Sequence, residues 1–134
     1  MAEFVKAIIE KCDFGYSIYV ADDCLNYGLL GEGKTVQEAI DDFKLSYKEM
    51  KESYRSEGRE FAEAQFQFYY DVPSFLQMYA FAFTLAGLER ITGVNQKQLG
   101  HYINGVRKPL RRTVEKIEER LKQFSNELSA VRFA

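Results

Sequence analysis

The stretch from residue 85 to 109, LAGLERITGVNQKQLGHYINGVRKP, constrains the fold of this chain more than any other. Gly93 separates two short helical patterns, and Asn95 is a good N-cap for the second because its side-chain oxygen can accept a hydrogen bond from the first turn. Gln98 has the spacing that completes a capping box, and Gly105 stands where a left-handed helix end needs a residue without a Cβ. Short helices joined by a sharp turn place side chains in the major groove of DNA in many proteins. The stretch therefore predicts a helix–turn–helix that binds DNA.

The second of these helices supplies the candidate base-reading side chains. We expect five of them to project from the surface opposite Leu99 and Ile103: Gln96, Lys97, Gln98, His101 and Tyr102. Glutamine can form two hydrogen bonds with adenine and lysine can reach guanine, and each good contact contributes about 1–3 kcal/mol of discrimination. For His101, an ordinary surface position remains an equal alternative.

A second set of side chains is expected to contact phosphates at the edge of the groove: Asn95, Arg107, Lys108, Arg111 and Arg112. Such contacts contribute affinity without sequence information. Elsewhere a basic run of this kind is more often a solvated surface. Its position directly after the second helix favours DNA.

The charges of the chain are unevenly distributed along its length. Residues 1–83 hold 8 Lys/Arg and 15 Asp/Glu, a net charge of −7, whereas residues 84–122 hold 9 Lys/Arg and 4 Asp/Glu, a net charge of +5. An acidic half joined to a basic half suggests two partners of opposite charge, although two small domains can also differ by chance. We predict two domains, residues 1–71 and 72–134.

The front half has the pattern of a small sheet covered by one helix. Strands are predicted at residues 4–10, 16–20, 27–30 and 65–70. The third strand is expected to end in a turn at Gly31-Glu32-Gly33. Thr35 then begins a helix through a capping box that Glu38 closes, which gives the order β-β-β-α-β.

The back half is predicted to be helical throughout. Pro73 begins a helix over about residues 74–83 that is apolar around much of its circumference and should be largely buried. The last helix, over about residues 110–130, carries apolar residues at heptad-like spacing. Packing within one subunit and a dimer seam both remain open for that spacing. The fold class is therefore α+β, with an all-α C-terminal domain.

Several classes of protein are disfavoured by the sequence. Charges interrupt the first residues, so there is no signal-peptide layout, and the apolar stretch 75–86 is shorter than the roughly 20 residues of a membrane span. Cys12 and Cys24 form no CxxC pair and have no nearby His, so we expect them to be reduced and buried, in a cytoplasmic protein without a metal site or cofactor.

An enzymatic function is also disfavoured. A two-metal nuclease site needs several carboxylates that converge on the ions. The available aspartates are Asp13, Asp22, Asp23, Asp41 and Asp42. Asp13 is expected in a turn and the pair at 41 and 42 on the solvent side of a helix, so solvated acids are the better interpretation. We therefore predict no catalytic residue.

The segment 85–109 resembles the Xre/Cro/C1-type helix–turn–helix family. The matching residues are Gly93, Val94, Gln96, Ile103, Asn104, Gly105, Arg107, Lys108 and Pro109. Carried over by position, the base-reading residues of the family fall on Gln96, Lys97 and His101. Two positions depart from the family: Glu89 stands where alanine is usual, and Leu110 replaces the usual small capping residue after the proline.

The front half resembles the HicB antitoxin family through Asp13 to Val20, followed by Gly31-x-Gly33-x-Thr35-x-x-Glu38-Ala39. This resemblance implies a truncated RNase H-like β-β-β-α-β domain that sequesters a small basic toxin RNase, HicA. It also implies that the basic half represses the shared operon by binding a double-stranded DNA operator. We expect a homodimer or higher oligomer, because a short recognition helix contacts few bases and a two-fold operator doubles them. Residues 24–28, CLNYG, replace the proline and Gly-Cys pair that many members carry.

Two alternatives to an antitoxin remain at this stage. The first is a stand-alone transcriptional regulator whose acidic domain binds a small molecule or another protein. The more distant alternative is a metal-dependent nuclease.

Overall fold

The alternating apolar residues near the start of the chain form an antiparallel hairpin in the computed structural model, which describes residues 3–134. Strand β1 (Glu3–Cys12) pairs with β2 (Gly15–Val20), with Ile9 opposite Ile18. Strand β3 (Leu30–Gly33) pairs antiparallel with β2. Strand β4 (Ala64–Tyr70) pairs parallel with β1, so that the order across the sheet is β3-β2-β1-β4. The predicted α+β class is confirmed, and the sheet is mixed.

Helix α1 (Val36–Ser56) covers one face of this sheet. Its apolar stripe packs on residues that alternate along the strands, and the buried members of this core are Ala7, Ile9, Ile18, Leu29, Ala39 and Phe43. The Thr35 hydroxyl accepts from the Glu38 N–H at 3.1 Å, as predicted. The Glu38 carboxylate, however, accepts from the N–H of Lys34 at 2.9 Å rather than from that of Thr35. Both hydrogen bonds of a capping box are therefore present at the start of α1, but the one to the Glu38 carboxylate comes from Lys34 instead of Thr35.

The glycines at 31 and 33 lie inside strand β3, so the turn expected there is wrong. They are needed because α1 crosses the strand at very short distance. A Cβ on Gly31 would lie 2.5 Å from the Ala39 carbonyl oxygen, and one on Gly33 would lie 2.6 Å from the Ala39 nitrogen. Glycine in a strand permits such a close approach of another backbone.

An aromatic cluster holds the long connection between β2 and β3 against the end of α1. Tyr27 stacks on Phe61 with ring centroids 4.4 Å apart, and its hydroxyl donates to the Ala62 carbonyl at 2.6 Å. The Tyr54 hydroxyl donates to the Asn26 carbonyl at 2.9 Å. Burial, together with the nearby Tyr47, raises the pKa of Tyr27 to about 12. This irregular segment is thus tied down by its own side chains.

The chain divides into two compact units, Met1–Asp71 and Val72–Ala134, which we call the N-terminal and C-terminal units. The C-terminal unit contains α2 (Val72–Met78), α3 (Leu85–Thr92), α4 (Gln96–Ile103) and α5 (Arg111–Ser129). Its core is small, and the buried apolar side chains are Leu76, Leu88, Val94, Leu99, Tyr102 and Ile117.

Helix α2 is shorter than predicted, and the extensive burial expected for the segment 74–83 is wrong in part. The helix ends at Met78, and the Ala82 N–H bonds to the Tyr79 carbonyl in the turn that follows. Phe81 is 85% exposed. Residues 79–83 thus lie between two helices, since the Thr84 hydroxyl accepts from the Gly87 N–H at 2.9 Å and begins α3.

Only the first part of the apolar stripe of α5 packs against the rest of the C-terminal unit. Ile117 is buried in the core and Leu121 packs against it, while Phe124 meets Phe83 with ring centroids 6.3 Å apart. Further along, Leu128 is 56% exposed, and Val131, beyond the helix, is exposed as well. Of the six heptad-like positions, four are therefore buried or half-buried and two are exposed: Val114, Ile117, Leu121 and Phe124 against Leu128 and Val131.

Neither cysteine is buried, so that expectation is wrong. Cys12 is half-buried at the end of β1 and Cys24 is exposed in the connection to β3, and both are free thiols. Across residues 3–134, the helices are all too short or too polar to cross a membrane.

Candidate nucleic-acid interface

The turn between α3 and α4 is fixed by one buried hydroxyl and one glycine. Gly93 caps α3 with φ 75°, in the left-handed region that favours a residue without a Cβ. The Thr92 hydroxyl donates to the Leu88 carbonyl at 2.7 Å and accepts from the Val94 N–H at 3.1 Å. The Thr92 hydroxyl thus supplies the hydrogen-bond acceptor that the Val94 N–H would otherwise need from the backbone. These two bonds and the buried Val94 hold the turn between the helices.

Two side chains cap the start of α4, and one of them was not predicted. The Asn95 side-chain oxygen accepts from the Lys97 N–H at 2.8 Å, as expected. The capping box with Gln98 is wrong, because the Gln98 amide donates instead to the Tyr102 hydroxyl at 2.9 Å. The Gln96 N–H donates to the Glu89 carboxylate of α3 at 2.9 Å. In the sequence, the one sign of this contact was that Glu89 stands where the helix–turn–helix family that this segment resembles usually has alanine.

The structure separates the five candidate base-reading residues into three groups. Gln96 and Lys97 are exposed in the first turn of α4, while Gln98 and His101 are half-buried. Tyr102 is only 1% exposed and packs in the core, so its predicted projection from the surface is wrong. The cause is helical spacing, since Tyr102 lies three residues after the buried Leu99 and therefore on the same face.

Four of the five candidate phosphate contacts are exposed cations between α4 and the first turn of α5: Arg107, Lys108, Arg111 and Arg112. Arg111 pairs with Glu115 at 3.1 Å on the helix surface, an interaction that contributes little in water. The fifth candidate, Asn95, uses its side-chain oxygen for the cap, so its NH₂ group is the one that can donate to a phosphate.

The beginning of α5 has an unusual charge distribution. Its N-cap is Leu110, a side chain that cannot accept a hydrogen bond, and Arg111 and Arg112 follow without an acidic residue in the first turn. The helix dipole places positive potential at an N-terminus, so cations there are unfavourable by a few tenths of a kcal/mol or more. A bound anion would make this arrangement favourable, because the backbone N–H groups and the guanidinium groups would both donate hydrogen bonds to it.

Two further cations near the turn were missed at the sequence level. Lys116 of α5 donates from its ammonium group to the Gly93 carbonyl at 3.4 Å, at the negative end of α3. Arg120 also approaches Gly93, one helical turn further along α5. The spacing of Arg112, Lys116 and Arg120 by four residues is the signal that could have revealed this basic edge of the helix.

The N-terminal unit leaves one face of its sheet without a helix. Since Ala7 and Ile9 face α1, the intervening Ile8 lies on the opposite face, where the register aligns it with Tyr19 and Tyr69. Leu30 extends this row across β3, and it is 51% exposed. The pKa of Tyr19 is raised by burial and by the carboxylates of Glu10 and Asp71. The row therefore has carboxylates beside Tyr19, whereas the Lys6 ammonium lies 4.7 Å over the Tyr69 ring at its other end.

The carboxylates of this unit do not gather at one point. The Asp42 carboxylate accepts from the Glu32 N–H at 2.9 Å, and that of Asp41 accepts from the Gln37 side chain at 3.0 Å. Within residues 3–134, no three His, Cys, Asp or Glu side chains are grouped so that they could hold a metal ion.

Comparisons of this chain with protein-family models, with curated proteins and with solved structures found no match.

Proposed function

We propose that this chain is a DNA-binding antitoxin of the HicB type, in which the C-terminal unit is a helix–turn–helix domain that represses its own operon. The observation that carries the proposal is the exposed start of α4, with Gln96 and Lys97 presented after a fixed turn and followed by the cations of the next connection. The partner of this surface is a double-stranded DNA operator.

Recognition would divide between bases and phosphates. Helix α4 enters the major groove with Gln96 and Lys97 foremost, and His101 lies one helical turn further along. Each well-placed contact with a base edge contributes about 1–3 kcal/mol of discrimination. The phosphates are met by Arg107 and Lys108 and by the uncapped start of α5 with its two arginines.

The exposed end of the α5 stripe supports a homodimer. Leu128 and Val131 continue the stripe beyond the packed part of α5, and Phe133 is also exposed. A second copy could cover these side chains, and a two-fold dimer would present two recognition helices to the two halves of an operator. One eight-residue helix contacts few bases, so the dimer supplies the remaining affinity.

The N-terminal unit, proposed here to be a truncated RNase H-like domain, would bind a small basic HicA-like toxin. Its net charge of −7, from 8 Lys/Arg and 15 Asp/Glu, supports a cationic partner. The uncovered row of Leu30, Tyr19, Ile8 and Tyr69 gives such a partner an apolar area on which to pack.

DNA binding is tested by selecting duplexes from a random pool and comparing variants on the selected sequence. The double variant Gln96→Ala/Lys97→Ala should lose most of the preference for the selected duplex over a scrambled one. Arg111→Ala/Arg112→Ala should weaken both and reduce the salt slope by roughly 1.8, since each phosphate contact contributes about 0.9. Lys44→Ala, an exposed charge of the N-terminal unit, is the control. Unchanged affinity in both double variants would refute DNA recognition by this surface.

The antitoxin role is tested by co-expression with a small basic protein encoded beside this gene. We expect a stable complex that suppresses the toxicity and ribonuclease activity of that protein. A Tyr19→Lys/Leu30→Lys variant removes apolar area and adds positive charge, so it should lose the complex while it keeps DNA binding. The antitoxin role would be excluded if no such gene adjoins this one, or if its product neither binds nor is inhibited.

One observation favours the alternative of a stand-alone regulator. A groove of about 290 Å³ beside the connection from β2 to β3 is lined by Asp22, Asp23, Leu25 and Tyr27 among others. Its two carboxylates and apolar wall would suit a small cationic molecule. A cationic metabolite that shifts the melting temperature of the protein and alters its DNA affinity would support this alternative.

A further inference from the structure

The contact between Glu89 and the start of α4 is electrostatically distinctive. The carboxylate of Glu89, on α3, accepts from the N–H of Gln96, the first residue of α4, at 2.9 Å. The following N–H, that of Lys97, is taken by the Asn95 side chain at 2.8 Å. The positive end of the α4 dipole is therefore already occupied, and one of its two occupants can carry a full negative charge.

This arrangement contrasts with the start of α5. There Leu110 offers no acceptor, and Arg111 and Arg112 add positive charge. A helix N-terminus is a ready site for a phosphate when its N–H groups are uncommitted. At α4 the N–H groups of Gln96 and Lys97 are committed, and a phosphate that approached this helix end would be repelled by the Glu89 carboxylate. The two helix starts thus differ in what they offer to a nucleic-acid backbone.

We infer that Glu89 is a positioning and specificity-determining residue: it fixes the start of α4 on α3 and keeps DNA phosphates away from that helix end. The inference rests on the proposed DNA binding and deepens it. Phosphate contacts are then confined to the connection after α4 and to the start of α5, and the predicted contact at Asn95, the N-cap of α4, is disfavoured. The side chains of Gln96 and Lys97 stay directed by a rigid helix start, and sequence-independent affinity is kept low.

The decisive variant is Glu89→Gln, because its amide oxygen can still accept from the Gln96 N–H while the charge is removed. A 25-base-pair duplex of mixed sequence serves as the DNA probe in 50 mM salt. We expect Glu89→Gln to bind this duplex about two- to fivefold more tightly than wild type, the size of one charge at a helix terminus. Glu119→Gln removes the same charge from the exposed surface of α5 and should change the affinity by less than half as much.

Glu89→Ala tests the positioning part without DNA. Loss of the acceptor should make the Gln96 amide exchange with solvent about 2- to 30-fold faster, the range that corresponds to the free energy of an N-cap. In Glu89→Gln the exchange rate should stay within twofold of wild type. Hydrogen exchange followed by NMR resolves this single amide, and circular dichroism verifies that each variant is folded.

The outcomes separate the inference from the function on which it rests. Tighter binding in Glu89→Gln but not in Glu119→Gln supports the inference. Equal gains in the two variants, or no gain in Glu89→Gln, would overturn the electrostatic role, and an unchanged Gln96 exchange rate in Glu89→Ala would overturn the positioning role. If the wild-type chain binds neither this duplex nor any selected one, DNA binding itself fails and the electrostatic role fails with it, whereas the exchange result still decides whether Glu89 positions α4.

Discussion

The two units of this chain are stabilised in different ways. In the N-terminal unit, a long helix buries Phe43 completely against the aromatic rings of β4, and the backbone of the sheet supplies its own hydrogen bonds. In the C-terminal unit, short helices are joined by turns that depend on polar side chains such as Thr92 and Glu89. Substitutions in the first unit should therefore act through volume, and those in the second through hydrogen bonds at helix ends.

The largest effect is expected for Phe43→Ala, which tests the contribution of volume. The ring is fully buried and meets Phe66 at a centroid distance of 4.9 Å. Its removal should lower the free energy of unfolding of the N-terminal unit by about 3–5 kcal/mol. Urea denaturation followed by near-ultraviolet circular dichroism measures the change. Leu45→Ala, at an exposed position of the same helix, should cost much less, and comparable losses in the two variants would contradict a core centred on Phe43.

A somewhat smaller effect is expected for Gly31→Ala, which adds one methyl group where α1 crosses β3. The new Cβ would lie 2.5 Å from the Ala39 carbonyl oxygen, so the helix must move. We expect a loss of about 2–3 kcal/mol, in the range of overpacked cores. The matched control is Gly28→Ala, because a Cβ there meets nothing within 4 Å. If thermal denaturation shows the same stability for both variants, the close approach of α1 to β3 is not what requires a glycine.

In the C-terminal unit, Thr92→Val keeps the shape of the side chain and removes its two hydrogen bonds. The Val94 N–H then loses its partner in a buried turn, which should cost about 1–2 kcal/mol. The measurable result is a lower melting temperature together with weaker binding to a selected duplex. Thr113→Val, at a half-buried position of α5, is the control for the change of residue type. Equal DNA affinity in Thr92→Val and wild type would show that the turn tolerates the loss.

The smallest effect is a dependence of stability on alkaline pH in the N-terminal unit. The pKa of Tyr27 is raised from 10.0 to about 12, so the folded state keeps a proton that the unfolded state releases first. The contribution of this group to stability is therefore complete below pH 10 and decreases as the pH rises towards 12. Urea titrations at pH 9 and pH 11 should show the decrease in wild type. In Tyr27→Phe the stability should decrease less between pH 9 and pH 11. An equal decrease in the two proteins would mean that other groups cause it.

Elements with a regular spacing of apolar residues were predicted correctly from the sequence. Predictions were wrong where the structure of a residue depends on its contact with another element. Helix α1 and strand β4 follow directly from the spacing of residues such as Phe43 and Phe66. Gly31 was assigned to a turn because glycine is common there, whereas its actual requirement comes from the packing of α1 on β3, which the pattern of the strand alone does not show. Tyr102 shows the opposite error, because its position three residues after Leu99 was sufficient to predict that it is buried.

The candidate site was predicted unevenly for the same reason. The Asn95 cap is a local feature and is confirmed. The Glu89 cap and the contact of Lys116 with Gly93 join different helices, and their geometry depends on how those helices pack. The roles of Gln96, Lys97 and His101 in reading bases stay predictions.

The exposed position of Cys24 and the absence of tryptophan have a practical consequence for spectroscopy. Both cysteines lie in the N-terminal unit, and so do seven of the nine tyrosines, all except Tyr79 and Tyr102. A maleimide dye at Cys24, with Cys12 replaced by serine, would report on that unit alone. Tyrosine fluorescence would mainly follow the same unit. Events in the C-terminal unit would be nearly silent in both signals, so a tryptophan introduced there, for example at Phe81, would give each unit its own optical probe.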